Sequence, residues 1–110
     1  MNHKQLEKLE ILARIKSDQA LARLANCRAQ EARLIAAGEE VEALRREARQ
    51  NAQGDIASSA ALPAFERHSD LKRAELGRAL AFVKTQSDAA LKVAARDFGR
   101  TAALDGLKKR

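Results

Sequence analysis

The chain has 110 residues, a net charge of +6 and a hydrophobic fraction of 45%, but 24 of its residues are alanine and it has no Trp or Tyr. This length predicts one domain, and the abundance of Ala, Leu, Glu, Lys and Arg predicts an all-α chain of long amphipathic helices. No apolar run approaches the ~20 residues of a membrane span, and the opening MNHKQLEKLE lacks the apolar region of a secretory signal, so we expect a cytoplasmic protein.

A seven-residue apolar repeat predicts the first helix, from about residue 3 to about residue 50. The series comprises Leu6, Ala13, Ala20, Cys27, Leu34, Val41 and Ala48. The flanking apolar positions are Leu9, Leu24, Ala37 and Leu44. Four further residues lie off this seam and either widen the buried face or stay exposed for a partner: Leu12, Ile15, Leu21 and Ile35. Cys27 belongs to the series, so we interpret it as a small buried apolar residue rather than a reactive thiol.

Residues 51–62 are predicted to form a turn, part of which is either a short helix or disordered, because a connection of a dozen residues is longer than usual. Gly54 supplies a helix stop, and Asp55, Ser58 and Ser59 offer side-chain oxygens for capping. Ser59 as the N-cap would place Pro63 in the first turn of the second helix, where a missing backbone N–H costs little. The expected fold is therefore a long antiparallel two-helix coiled-coil hairpin.

A hairpin that pivots near residue 57 has a definite register between its helices. Gly38 then lies opposite Gly77, either to permit close backbone approach or as two helix glycines that are merely tolerated. An Ala-rich seam buries little apolar area, so the hairpin alone is expected to be marginally stable. Self-association or an enclosing partner would stabilise it.

An eleven-residue repeat predicts the second helix, from about residue 63 to about residue 107. One series comprises Phe65, Leu76, Ser87 and Phe98, the next Ser69, Leu80, Leu91 and Ala102, and the third Lys72, Val83, Ala94 and Asp105. The apolar seam is expected to be strongest between Leu76 and Phe98. Such a repeat corresponds to about 3.67 residues per turn and favours a nearly straight or slightly right-handed path.

The sequence carries no motif for catalysis or for a cofactor. It has no Walker loop, dinucleotide fingerprint, nucleophile elbow or zinc-binding helix motif. Two His and one Cys cannot furnish a closed structural zinc site, and we expect His3 and His68 to be solvated. A two-helix fold also has no interior for a water-excluding pocket. We expect a protein that is not an enzyme and that binds no metal or cofactor.

The basic excess lies in the second helix. Lys92, Arg96 and Arg100 stand at i, i+4 and i+8 on one face, and the sequence closes with Lys108, Lys109 and Arg110. These side chains are either a solvated face or a docking site for an acidic partner. Nucleic acid is a weaker alternative, because acidic residues interleave with the Lys and Arg residues and no aromatic platform is present on which nucleobases could stack. A membrane surface is weaker still.

Three stretches resemble the FliJ and YscO family of small stalk proteins of bacterial type III export ATPases, flagellar or injectisome. They are LEKLEILARIKSDQALARLANCRAQEARL in the first helix, the Gly-Ser hinge followed by ALPAFERHSDLKRAELGRAL, and the closing LKKR. The resemblance implies a helical hairpin in the central hole of a hexameric ATPase, linking it to the export gate and to export chaperones.

The resemblance also implies which residues make contacts. Those toward acidic loops of the ATPase ring would be Lys92, Arg96, Arg100, Lys108, Lys109 and Arg110. Phe65 and Leu71 would contact the gate or a chaperone. The alternative is a generic coiled-coil adaptor or export chaperone, held as a dimer through the four off-seam residues of the first helix.

Overall fold

The computed structural model describes residues 2–109, which form two helices. Helix α1 spans His3–Gly54 and helix α2 spans Ile56–Lys108. Helix α1 begins with a capping box, because Asn2 Oδ1 accepts a hydrogen bond from the Gln5 backbone N–H at 2.8 Å and Gln5 Oε1 accepts one from the Asn2 N–H at 3.3 Å. The prediction of an all-α helical hairpin is confirmed.

The predicted turn over residues 51–62 is wrong, because only Asp55 separates the two helices. Asp55 rather than Ser59 is the N-cap of α2. Its Oδ1 accepts a hydrogen bond from the Ala57 N–H at 3.2 Å, its Oδ2 accepts one from Ser58 Oγ at 2.7 Å, and its carbonyl accepts the Ser59 N–H at 2.9 Å. The hydrogen bonds to its carboxylate lower the pKa of Asp55, the one from the Ser58 hydroxyl most strongly. One side chain therefore starts α2 well before the predicted position.

Pro63 lies inside α2, about two turns from its start, rather than in the first turn. Proline has no N–H, so it cannot donate to the Ser59 carbonyl one turn earlier. The preceding segment IASSAAL is rich in alanine, the best helix former. The helix therefore continues through this residue at the cost of one backbone hydrogen bond.

The described residues group into two compact units, each made of one segment from each helix. The turn unit is Gln30–Val83, and the end unit comprises the described residues up to 29 and from 84 onward. In the turn unit, Arg45 contacts Asp70, and Glu42 contacts Arg73 at 3.0 Å. In the end unit, Glu10 contacts Lys108 at 3.2 Å. In each unit the partner number rises as the α1 number falls, so the two segments are antiparallel.

The seven-residue series of α1 is confirmed, since its members are buried or half-buried throughout, Cys27 included. The second row of the seam differs from the prediction, because Leu9 and Leu44 are exposed. That row instead comprises Glu10, Ser17, Leu24, Glu31, Gly38, Arg45 and Ala52. Positions that face a partner helix are spaced alternately three and four residues apart. Counted from the seven-residue series, this spacing places these residues against the other helix, whether they are polar or apolar. The seam of α1 is therefore apolar in one row and largely polar in the other.

The eleven-residue repeat predicted for α2 holds only in part. Val83, Ala94 and Asp105 of its third series are buried or half-buried, but Lys72 is exposed and the other two series fail beyond Ser87. Predicted seam residues Leu91, Phe98 and Ala102 are exposed, Phe98 by 68%. The buried or half-buried positions beyond Ser87 are instead Ala90, Val93, Ala94, Asp97, Thr101, Leu104 and Asp105. Both repeats place seam residues four, three and four positions apart over the first eleven residues. The next spacing is four in an eleven-residue repeat and three in a heptad, so the two patterns diverge only there. The seam of α2 follows the heptad because the seam of α1 does.

The residues that are most buried are mainly polar. Among the described residues, the only buried apolar ones are Ala20, Val83 and Ala94. The buried polar set comprises Glu10, Ser17, Arg45, Ser69, Ser87 and Asp97. Large apolar side chains such as Leu12 and Phe98 face outward instead. This distribution gives each unit a weak hydrophobic seam and leaves apolar surface for other contacts.

The glycines of the turn unit do not serve close backbone approach. A Cβ built on Gly38 or Gly77 would meet no atom within 4 Å. Both glycines line an open groove of about 520 Å³, whose apolar walls include Leu34 and Leu76. Of the two interpretations of this glycine pair, the one that holds is that they are tolerated within their helices.

Candidate functional site

The predicted basic residues of α2 lie in the end unit, but they do not form one site. Lys92, Arg96 and Arg100 are exposed on successive turns, and Lys109 is exposed too. The Lys108 ammonium instead contacts the buried carboxylate of Glu10 at 3.2 Å. Arg110 lies outside the described residues. The structure therefore separates Lys108 from the stripe with which the sequence grouped it.

An ion-pair cluster joins the two segments of the end unit around Glu10. Arg14 Nη2 donates to Glu10 Oε1 at 2.8 Å and lies 3.7 Å from Asp105 Oδ1, while Lys108 approaches the other carboxylate oxygen. Glu10 is buried, whereas Arg14 is largely exposed. The two cations, Arg14 and Lys108, compensate most of the charge of the buried Glu10 carboxylate. These charges therefore pair with one another and leave little for an external partner.

A second group of charges in the end unit is largely unpaired. Lys16, Arg23, Arg96 and Arg100 line one groove of about 240 Å³. Among the described residues, Arg100 approaches only Asp97, at 4.0 Å, and the other three make no ion pair. Asp97 is the one acid that lines this groove, and it is 7% exposed. The groove therefore carries an excess of positive charge.

Of the four cations, Arg96 and Arg100 were predicted from the sequence as contact residues, whereas Lys16 and Arg23 were not. The signal was the hairpin register. Ion pairs between the helices in the two units join residues whose numbers add to between 115 and 119, as in Arg45 with Asp70 and Arg14 with Asp105. The same register sets Lys16 beside Arg100 and Arg23 beside Arg96. The pivot near residue 57 sets Lys16 opposite positions next to Arg100 but sets Arg23 opposite Leu91 and Lys92, so only the structure brings Arg23 to Arg96.

An apolar groove of about 560 Å³ continues from the basic one in the end unit. Its walls are Leu9, Leu12, Ala13, Ile15, Ala103 and Leu104. Lys16, Asp97 and Arg100 line both grooves. Leu12 is 58% exposed, because it lies off the seam that Ala13 and Ser17 occupy. Aliphatic side chains and unpaired cations are thus adjacent on one face.

The two residues predicted for a gate or chaperone contact belong to the turn unit and differ in exposure. Phe65 is half-buried at a seam position, whereas Leu71 is 72% exposed. Close by, Arg49 donates to Glu66, which lowers the pKa of that carboxyl and raises the pKa of Arg49. Only Leu71 of the predicted pair presents its side chain fully to solvent.

The histidines and the cysteine carry no further site. His3 Nε2 lies 3.1 Å from Glu7 Oε1, and both side chains are exposed. His68 is exposed, as expected. Over residues 2–109, no group of three or more His, Cys, Asp or Glu is placed to hold a metal ion. Within the same range, neither helix contains a segment that is both long enough and apolar enough to cross a bilayer.

Comparisons with models of known protein families, with curated proteins and with solved structures found no significant match to this chain.

Proposed function

We propose that this chain is a non-enzymatic stalk component of a type III or flagellar protein export ATPase complex, acting in the cytoplasm. Two features support the proposal: the antiparallel helical hairpin, and the unpaired cations on one face of its end unit. Cations that outnumber the acids around them favour contact with an acidic surface and accelerate its capture. The unpaired cations are the observation that carries the proposal.

The proposed ATPase contact is centred on Lys92, Arg96 and Arg100, the exposed stripe of α2. Lys16 and Arg23 extend it across the groove onto α1. Lys109 and Arg110 remain proposed contacts, while Lys108 contributes less because it already pairs with Glu10. Leu71, with Phe65 behind it in the seam, is the proposed contact with the export gate or an export chaperone.

The test is binding to the export ATPase of the organism that encodes this chain. The purified proteins are mixed, and binding, ATP hydrolysis and hexamer formation are measured. We expect the chain to bind and to alter hydrolysis or assembly. The proposal is abandoned if the wild-type chain neither binds the ATPase nor changes either activity.

A matched pair of charge reversals locates the contact. The test variant changes Lys92, Arg96 and Arg100 of the end unit to Glu. The control variant changes three cations of the turn unit, also exposed and on α2, to Glu: Arg67, Lys72 and Arg78. Both change net charge equally, so a general electrostatic effect would weaken both. We expect only the first to lose binding, and equal loss in both would refute the assignment of the site.

A generic coiled-coil adaptor or export chaperone acting as a dimer is the second candidate. The four off-seam residues of α1 favour it, because each is at least 46% exposed: Leu12, Ile15, Leu21 and Ile35. A dimer that buried them would gain about 1.5 to 3 kcal/mol for each fully buried side chain. Light scattering decides: a concentration-independent monomer rules this candidate out, whereas a dimer that Leu21→Asn or Ile35→Asn dissociates supports it.

A further inference from the structure

We propose that the joined grooves of the end unit bind an amphipathic helix of a partner protein, apolar over its first half and acidic over its second. The inference deepens the proposed function and rests on it for the biological partner. It commits to a helix rather than a loop and to a defined order of residue types. The evidence is the continuity of an apolar groove and a basic groove along one face.

The apolar half of the site has the form of a helix-binding groove. Leu9, Leu12 and Ile15 form one wall from α1, and Leu104 stands on the opposite wall from α2. Its volume of about 560 Å³ is open to solvent along the helices. Leucine side chains spaced at i, i+3 or i+4 and i+7 on a partner helix fit such a groove. Water would be displaced from aliphatic walls, which favours binding.

The basic half of the site selects the charge of the occupant. Lys16, Arg23, Arg96 and Arg100 face one buried acid, Asp97. An occupant with carboxylates here pairs with Lys16, Arg23 and Arg96, which make no ion pair among the described residues, and with Arg100, which approaches only Asp97, at 4.0 Å. A second copy of the chain is disfavoured, because a symmetric contact through this face would bring two basic groups together in a molecule of net charge +6.

The length of the site sets the length of the occupant. Leu9 and Arg23 bound it on α1, and a helix rises about 1.5 Å per residue, so the site extends for roughly 21 Å. An occupant of about four turns, roughly 14 residues, spans it. Its apolar residues cover about the first two turns over Leu9 and Leu12, and its acidic residues cover the remainder over Arg23 and Arg96.

The experiment uses three synthetic labelled peptides and the full chain. The first peptide has Leu on one face of its first half and Glu on the same face of its second half, with Ala elsewhere. The second replaces Glu with Lys, and the third has the composition of the first with its Leu and Glu scattered over all faces. Fluorescence anisotropy measures binding at about 50 and about 300 mM NaCl. We expect the first peptide to bind at least about tenfold more tightly than the others, and less tightly at high salt.

Exposed residues provide variants that leave the seam intact. Leu12→Asn is expected to weaken the first peptide about tenfold, and Lys16→Glu with Arg96→Glu to weaken it at least as much at low salt. The matched controls in the turn unit are Leu44→Asn, at another exposed leucine, and Lys72→Glu with Arg78→Glu, which are expected to leave binding unchanged. Circular dichroism of each variant verifies that it is folded.

Three results would overturn the inference. They are equal binding of the ordered and scattered peptides, equal binding of the Glu and Lys peptides, and equal loss of binding in test and control variants. A dimer that dissociates on Leu12→Asn would assign the groove to a second copy instead. Single-stranded nucleic acid could also displace the first peptide, at concentrations where the scattered peptide does not displace it. That result would assign the groove to phosphate groups instead. ATPase binding is measured in parallel, so that a chain that binds peptide but not ATPase refutes the proposed function alone.

Discussion

Ser87→Ala is expected to stabilise the protein. Ser87 is 0% exposed, and its hydroxyl has no hydrogen-bond partner within residues 2–109. A buried hydroxyl without a partner costs about 1 to 3 kcal/mol relative to water. Alanine also has a higher helix propensity than serine, by a few tenths of a kcal/mol. Both effects have the same sign, so we expect the free energy of unfolding to rise by about 1 to 3 kcal/mol.

Ser69→Ala is the matched control. Ser69 is also on the seam of α2 and 2% exposed, but its Oγ donates to the Phe65 carbonyl at 3.0 Å. Removing this hydroxyl loses a hydrogen bond worth about 0.5 to 1.5 kcal/mol and gains slightly in helix propensity. The net change is expected to lie between zero and about 1 kcal/mol of destabilisation. The two variants should therefore differ by at least about 1 kcal/mol.

The assay is urea unfolding followed by circular dichroism at a fixed protein concentration, with thermal unfolding alongside. A change of 1 kcal/mol shifts the melting temperature by roughly 4 to 8 °C in a domain of this size. Equal midpoints for the two variants, or a lower midpoint for Ser87→Ala than for wild type, would refute the reasoning. Such a result would mean that the Ser87 hydroxyl is satisfied in solution.

Three further changes test the turn and the polar seam. Pro63→Ala restores a donor for the Ser59 carbonyl and should stabilise the protein by about 1 to 3 kcal/mol in urea unfolding; an unchanged midpoint would contradict this. Asp55→Ala removes the cap of α2 and should lower the melting temperature at pH 7. Because the pKa of Asp55 is lowered from its ordinary value of 3.8 in the folded protein, this stabilisation is present above that pH and lost as pH falls through the folded pKa, so the difference from wild type should shrink below about pH 4. Arg45→Ala should cost about 2 kcal/mol, since it removes a buried stem and hydrogen bonds to Asp70 and to a backbone carbonyl; a loss no larger than that of Arg78→Ala would contradict it.

Local patterns in the sequence determined the class of fold, the reversal of the chain between the two helices and one row of the seam. Residues such as Leu34 and Val41 recur every seven positions, and burial follows from that period alone. The reversal near residue 57 follows from a helix stop and capping side chains between two helical runs. These signals are local, so they can be recognised without a partner helix.

Only the tertiary structure decided the other seam row and the membership of the candidate site. Glu10 and Arg45 are buried because the opposing helix covers their positions, which their own polarity argued against. Lys16 and Arg100 come together, and Lys108 leaves the basic stripe for Glu10, because the register pairs residues far apart in sequence. Period fixes which residues share a face of one helix, whereas the pairing of two helices fixes which charges meet.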